Sequence, residues 1–200
     1  MCMIALQKFN NSLEIRFHKK VAILGEGGVG KTTLMRRFSQ KVFEPAPDIT
    51  IGAEFFSKNI KFKGYDLEIE GKFVVWDLSG QERFRFMFSN YLQGIEGIML
   101  GYDMSRLIKL TKLKNWIELL KEANVPMDGS IPIILVGLKK DKFPSSSINQ
   151  RDEFIAEINK VIPIAHYFET SSLTGENVEE TFDSLFNMLI AKEMKQMQKN

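Results

Sequence analysis

The order of apolar and polar positions divides the chain into alternating strands and helices. Val21-Ala22-Ile23-Leu24 is an apolar run of strand length, and beyond a glycine-rich turn Leu34, Met35 and Phe38 recur at helical spacing among good helix formers. Ahead of that strand, Leu13-Glu14-Ile15-Arg16-Phe17 alternates as a strand does, after a turn at Asn10-Asn11-Ser12. Beyond the first helix, Glu44-Pro45-Ala46-Pro47-Asp48 is predicted to be loop, because its prolines fix φ and remove backbone donors. Residues 54–63 and 67–78 are rich in aromatic and β-branched residues and flank Gly64, which predicts a hairpin.

The alternation continues with a strand over 97–103, a helix over 108–123, a wholly apolar strand over 131–137, a helix over 150–161 and a strand over 164–168. A long helix over 177 to about 195 closes the chain, with Val178, Phe182, Leu185 and Leu189 facing inward. Leu110, Leu113, Ile117 and Leu120 make the one-sided stripe behind the helix at 108–123. Pro144-Ser145-Ser146-Ser147 reads as loop. Such alternation implies right-handed crossovers and a mostly parallel sheet covered on both faces, with ligands outside the carboxyl ends of its strands. The polar motifs all fall at those ends.

Between the first strand and the first helix lies Gly25-Glu26-Gly27-Gly28-Val29-Gly30-Lys31-Thr32-Thr33, in which Gly25, Gly30, Lys31 and Thr32 fit G-x-x-x-x-G-K-[ST]. A strand that turns on glycines into a helix N-terminus aims backbone N–H groups and the positive end of the helix dipole at one point, which suits a polyphosphate. The glycines let the backbone come close, Lys31 places a point charge between terminal phosphates, and the Thr32 hydroxyl is a ligand for Mg²⁺. The strand ending at 78 delivers Asp77 and then Gly80 to the same edge of the sheet.

Composition narrows the class. A chain of 200 residues with 44% hydrophobic and 26% charged residues is one ordinary globular domain, and no apolar run approaches the roughly twenty residues of a membrane-spanning helix. The formal net charge of +2 gives no strong field for nucleic acid, so no nucleic-acid partner is expected. A single cysteine, Cys2, and an N-terminus without a cleavable apolar segment fit a cytoplasmic protein. The arm 1–17 admits two readings: an extension of the first strand, or a short membrane-lying helix with Met3, Ile4, Leu6 and Phe9 on one face. His18 and His166 have no partner at metal-ligand spacing, and Met188, Met194 and Met197 read as core and tail.

Taken in order, the phosphate loop, Asp48-Ile49-Thr50-Ile51-Gly52, the stretch from Trp76 through Asp77-Leu78-Ser79-Gly80-Gln81 to Phe84, Lys139-Lys140-Asp141 and Glu169-Thr170-Ser171-Ser172 resemble the Ras superfamily of small GTPases, most closely its Rab branch, over about residues 20–189. The resemblance implies a P-loop NTPase fold, an α/β/α sandwich around a mostly parallel six-stranded sheet with one antiparallel edge hairpin. It divides the chain into an extension at 1–17, a GTPase domain at 18–195 and a tail at 196–200. It also implies GTP or GDP as ligand, with Mg²⁺, and slow hydrolysis of GTP to GDP and phosphate.

By the same resemblance Gly25, Gly27, Gly28, Val29, Gly30, Lys31, Thr32 and Thr33 would hold the phosphates, and Thr50 and Gly80 would close on the γ-phosphate. Lys139 and Asp141 would hold the base, with backbone N–H groups around Ser171 and Ser172 at guanine O6. Phe43 would lie on the guanine face, unless it is a core residue. Thr32, Thr50 and, through water, Asp77 would hold the metal; Gln81 would orient the attacking water, with Lys31 and Thr50 at the transferred phosphate. Effectors, GTPase-activating proteins and exchange proteins would read the switch regions around Thr50 and Gln81. Phe55, Trp76 and Tyr91 sit where Rab proteins place an effector-facing aromatic cluster, with ordinary core packing as the alternative.

Four positions depart from the family pattern. Leu138 replaces the asparagine that ties the base loop to the phosphate loop, Leu173 replaces a lysine, Pro47 stands where many relatives have a tyrosine, and 64–71 lengthens the hairpin. No cysteine lies near Asn200, so no prenyl anchor is expected on this chain; membrane contact stays open, and a monomer is expected. The function implied is a nucleotide switch, with a weakly hydrolysing guanine-nucleotide scaffold as the alternative. An ATP-selecting site is disfavoured by Asp141, which suits the paired donors of guanine.

Overall fold

The long strand that feeds the phosphate loop is also the axis of the sheet. The computed structural model describes residues 5–9, 12–44, 50–63, 67–106, 110–143 and 148–197. Its elements run β1 (Ala5–Phe9), β2 (Ser12–Leu24), α1 (Lys31–Gln40), β3 (Ala53–Lys63), β4 (Leu67–Leu78), a 3-10 segment (Glu82–Met87) leading into α2 (Phe88–Leu92), β5 (Gly97–Asp103), α3 (Leu110–Glu122), β6 (Ile133–Leu138), α4 (Ile148–Asn159), β7 (His166–Glu169) and α5 (Val178–Met197).

The sheet order is β3-β4-β2-β5-β6-β7, with β3 antiparallel to β4 and the other neighbours in that order parallel. These are the six strands expected, with the expected edge hairpin. β1 adds a seventh, antiparallel to β2 in the register Ala5↔Arg16 to Phe9↔Ser12. Because β4 pairs with β2 from Leu13 to Ile23, β1 and β5 share the other edge of β2 end to end. The arm therefore extends the sheet: Leu6 and Phe9 lie on a strand, so the membrane-lying helix is not what these residues form. β2 runs without a break across the expected boundary between 1–17 and 18–195.

Alternation along the strands builds two apolar layers. Ala22 and Leu24 of β2 face a cluster that includes Phe88 of α2, Leu113, Trp116, Ile117 and Leu120 of α3 and Ile158 of α4. Phe17, Val21 and Ile23 face the opposite cluster, with Leu34, Met35 and Phe38 of α1 and Val178, Phe182, Leu185, Phe186 and Leu189 of α5. Rings carry much of this second layer: Phe38 stacks on Phe182 and Phe73 on Phe186, each at 3.9 Å between centroids. At the sheet end away from the phosphate loop, buried Lys19 bonds Glu96 at 2.8 Å and also buried Glu193, joining β2, the turn before β5 and α5. Burial draws the Lys19 pKa down, but the hydrogen bonds to Glu193 and Glu96 outweigh it and the net shift is upward.

The segment from Glu82 to Leu92 shows no helical stripe in sequence, and its α-helix of five residues is too short to need one. Elsewhere the differences are of boundary: β6 begins at Ile133 rather than 131, β7 covers His166–Glu169 rather than 164–168, and α4 begins at Ile148 rather than 150. Cys2, Met3, Ile4, Asn10, Asn11, Pro45 to Ile49, Gly64 and Pro144 to Ser147 lie outside the described residues. Among the described residues no helix is long and apolar enough to cross a membrane.

Candidate functional site

The sequence turns from strand to helix over six residues, and glycine makes that possible. Gly25, Gly28 and Gly30 have φ of 144°, 73° and 109°, a region L residues with a side chain rarely enter. A Cβ on Gly25 would also stand 2.2 Å from the Gly101 carbonyl oxygen of β5. Gly30 caps α1 without a side-chain hydrogen bond, so the first helical amides and the dipole face the loop with no side chain in the way. Val29 is buried in the α1/α5 layer and pins the loop's middle, while Thr33 is half-buried behind it.

Lys31 is buried and its ammonium donates to the carbonyls of Gly25 at 2.7 Å and Glu26 at 3.1 Å, curling the loop around its own cation. Desolvation draws its pKa down to about 8, against the attraction of Asp77 and Glu26. The Thr32 hydroxyl shares a hydrogen bond of 2.8 Å with the Thr50 hydroxyl and donates to Asp77 Oδ2. Asp77 is fully buried, and burial pushes its pKa up to about 6 despite Lys31 and Thr32. Its Oδ1 has no hydrogen-bond partner among the described residues.

A buried carboxylate oxygen without a donor, beside two hydroxyls, is a costly arrangement by itself. It fits a hard divalent cation with oxygen ligands, as Mg²⁺ is. Thr32, Thr50 and Asp77, drawn from α1, the segment before β3 and the end of β4, are thus brought together by the fold.

The second switch starts in direct contact with the loop. A Cβ on Gly80 would stand 2.1 Å from the Gly27 nitrogen and 2.2 Å from the Glu26 carbonyl carbon, so only glycine fits there. The Ser79 N–H donates to Gly52 O at 2.9 Å, which links this segment to the Thr50 segment. Gln81 is half-buried at the edge of the loop, its Cγ 3.9 Å from the point where a Gly27 side chain would begin. Outside this group, Phe55 meets Trp76 edge-on at 4.3 Å and Trp76 meets Tyr91 at 5.3 Å. Phe55 is 54% exposed, whereas Trp76 and Tyr91 are half-buried and pack against the core layer of α2 and α3, so the cluster runs from the core to the surface.

At the base end, Lys139 takes a left-handed conformation, and its ammonium donates to Gly28 O and to Asp103 Oδ2, each at 2.8 Å. The Lys140 N–H donates to Thr170 O at 3.0 Å, and the Ser171 hydroxyl donates to Asp141 Oδ1 at 2.6 Å. Asp141 and Ser171 are therefore adjacent. The Ser171 N–H donates to Glu176 O at 3.1 Å, so one of the expected backbone donors is engaged within the loop itself. Phe43 is half-buried just beyond α1 and is not part of this hydrogen-bonded group. Leu138 is buried under the loop, its Cδ1 3.0 Å from the point where a Gly101 Cβ would be and beside the Lys31 stem.

Sequence reasoning missed Asp103 and Glu26. Asp103 ends β5 as Asp77 nearly ends β4, so its place at a carboxyl strand end was a usable signal. Glu26 occupies a variable place in the loop pattern, and its partner, the Trp116 indole N–H at 3.2 Å, is ninety positions away.

The sequence model of the Ras family matches residues 20–191. A protein of Echinococcus multilocularis described as "Probable Ras-related protein Rab-4A" is 33% identical over 175 residues, a span covering 86% of this chain and 74% of that protein. The match runs through the phosphate loop, both switch segments and the base loop in one order, on strand ends that the fold brings together. The chain belongs to the Ras family, as a Rab-like small GTP-binding switch protein.

Proposed function

We propose that this protein alternates between GDP-bound and GTP-bound forms, binds Mg²⁺ with the nucleotide, hydrolyses GTP slowly and engages effectors in the GTP form. The observation that carries the reading is the meeting of Thr32, Thr50 and the unpartnered Asp77 Oδ1 beside Lys31. Mg²⁺, when bound, would offset charge on the terminal phosphates. The chain's own groups do the rest. Lys31 would turn from the Gly25 and Glu26 carbonyls toward the phosphates, and the Gly80 N–H, held on the loop backbone, would meet the γ-phosphate. Thr50, already hydrogen-bonded to Thr32, would close on the third phosphate when it is present and bring the first switch with it. Gln81, at the lip of the loop, would orient water for in-line attack.

Residues 41–52 contain no arginine to offset transition-state charge in cis, so intrinsic turnover is expected to be slow and open to acceleration by a partner. Gln81→Leu is expected to lower the single-turnover rate at least about tenfold, because one hydrogen bond to a charged transition state contributes about 1.5–3 kcal/mol. GDP affinity should stay within about threefold, since that bond is absent from the ground state. A rate unchanged by the substitution removes Gln81 from the mechanism. The buried apolar Leu138 favours the second reading, a guanine-nucleotide scaffold with negligible turnover. The same single-turnover measurement on the natural sequence separates the two.

A further inference from the structure

The second switch reaches Glu26 from both of its ends, directly at its start and through Trp116 at its far end. At its start, Gly80 packs on the Glu26–Gly27 peptide so closely that no Cβ fits. At its far end, Phe88, the first residue of α2, is fully buried and stacks on Trp116 of α3 at 5.7 Å and 22°. Trp116 is itself fully buried, and its indole N–H donates to the Glu26 carboxylate at 3.2 Å. The path from Glu26 through Gly80, Gln81, the 3-10 segment, Phe88 and Trp116 back to Glu26 is a closed circuit.

Glu26 is also placed to feel the nucleotide. Its carbonyl accepts from Lys31 at 3.1 Å, a bond that a terminal phosphate competes for, and its peptide lies against Gly80, the residue whose N–H would meet the γ-phosphate. A ligand shifts a two-state element only through interactions that differ between the states. The circuit supplies such a difference. Seating Gly80 on the loop fixes one end of the second switch, and the Glu26–Trp116 bond fixes the other through Phe88.

We infer that Glu26 and Trp116 form a positioning pair that locks α2 against the phosphate loop and thereby raises affinity for the triphosphate over the diphosphate. This rests on the guanine-nucleotide reading above. It is tested on the full chain with fluorescent GDP and a non-hydrolysable fluorescent GTP analogue, both with Mg²⁺, in wild type, Glu26→Ala, Glu26→Gln, Trp116→Phe and the Glu26→Ala/Trp116→Phe double variant. Trp116→Phe keeps a ring for Phe88 while it removes the donor and part of the buried ring volume, and Glu26→Gln removes no volume and keeps an acceptor.

In Glu26→Ala and Trp116→Phe the GTP-analogue affinity is expected to fall about tenfold with GDP affinity within about threefold, and the double variant should fall no further than either single one. Glu26→Gln should restore the wild-type ratio. Equal losses for both nucleotides would show mere support of the loop and overturn the inference, as would additive single effects or a Glu26→Gln variant that behaves like Glu26→Ala. If Trp116→Phe does not fold, Glu26→Ala against Glu26→Gln decides alone, because Glu26 is only half-buried. A wild-type chain that takes up neither nucleotide overturns both this inference and the function it rests on. A wild type that binds both, with unchanged ratios in the variants, overturns this inference only.

Discussion

Lys31→Ala is expected to weaken guanine-nucleotide binding about a hundredfold or more while leaving the nucleotide-free fold in place. The ammonium is buried, and among the described residues it donates to the carbonyls of Gly25 and Glu26. A unit negative charge about 4 Å away would gain about 4 kcal/mol at an effective dielectric of about 20. A terminal phosphate carries nearly two such charges, so even after the two carbonyl bonds are given up at about 1.5–3 kcal/mol each, roughly 3 kcal/mol remains, and each 1.4 kcal/mol is about tenfold in affinity.

The free protein behaves differently, because desolvation holds the Lys31 pKa at about 8 against its ordinary 10.5. Between those values the unfolded chain binds the extra proton, so the stability of the nucleotide-free wild type rises as pH climbs through that window. Lys31→Ala should lack this rise, and at lower pH its melting temperature should be level with wild type or above it. Titration with fluorescent GDP and melting curves across the window check both halves. Full nucleotide affinity in the variant would remove the phosphate loop from the centre of this account. A large loss of stability at neutral pH would instead make Lys31 a structural cation.

These two roles of one side chain show what sequence can and cannot convey. The loop pattern named Lys31 and its charge, and the flanking apolar runs placed it between β2 and α1. β5 was legible residue for residue at 97–103, because a mainly apolar run of that length that ends on an aspartate has little else to be. The edge hairpin was legible within a residue, from its aromatic and β-branched content. β1 was not, because its alternation does not say which edge it joins, and that depends on β2 outrunning β5. Lys139 on Gly28 and Trp116 on Glu26 bridge 111 and 90 positions, so they exist only once the strand order is set. The unpartnered Asp77 Oδ1 is likewise a property of packing, since an aspartate at a strand end reads the same whether dry or wet.

Leu138→Asn is expected to slow GDP release about tenfold and to lower the melting temperature of the nucleotide-free protein. From sequence, a leucine in place of the family's asparagine removes an anchor between the base loop and the phosphate loop, a loss of about ten- to a hundredfold in affinity at 1–3 kcal/mol. The structure supports the lower end. Lys139 already ties the two loops through Gly28 O, and Asp103 holds that ammonium in place. Leu138 meanwhile has a packing role, lying over Gly101 and beside the Lys31 stem within the α1/α5 layer. Asparagine has nearly the same shape, so it neither clashes nor leaves a void, and its amide would lie near the end of β2 from which the loop springs. With nucleotide bound, that amide gains partners on the loop and base sides. Without nucleotide it is a polar group in a dry site, costing about 1–3 kcal/mol. The substitution should therefore widen the gap in melting temperature between nucleotide-bound and nucleotide-free protein, which is the signature of a ligand that stabilises one state. Stopped-flow release of a fluorescent GDP analogue, with melting curves in both states, measures the two effects separately. Equal release rates would show that the Lys139 tie suffices, and that leucine at 138 is a packing choice without consequence for the nucleotide.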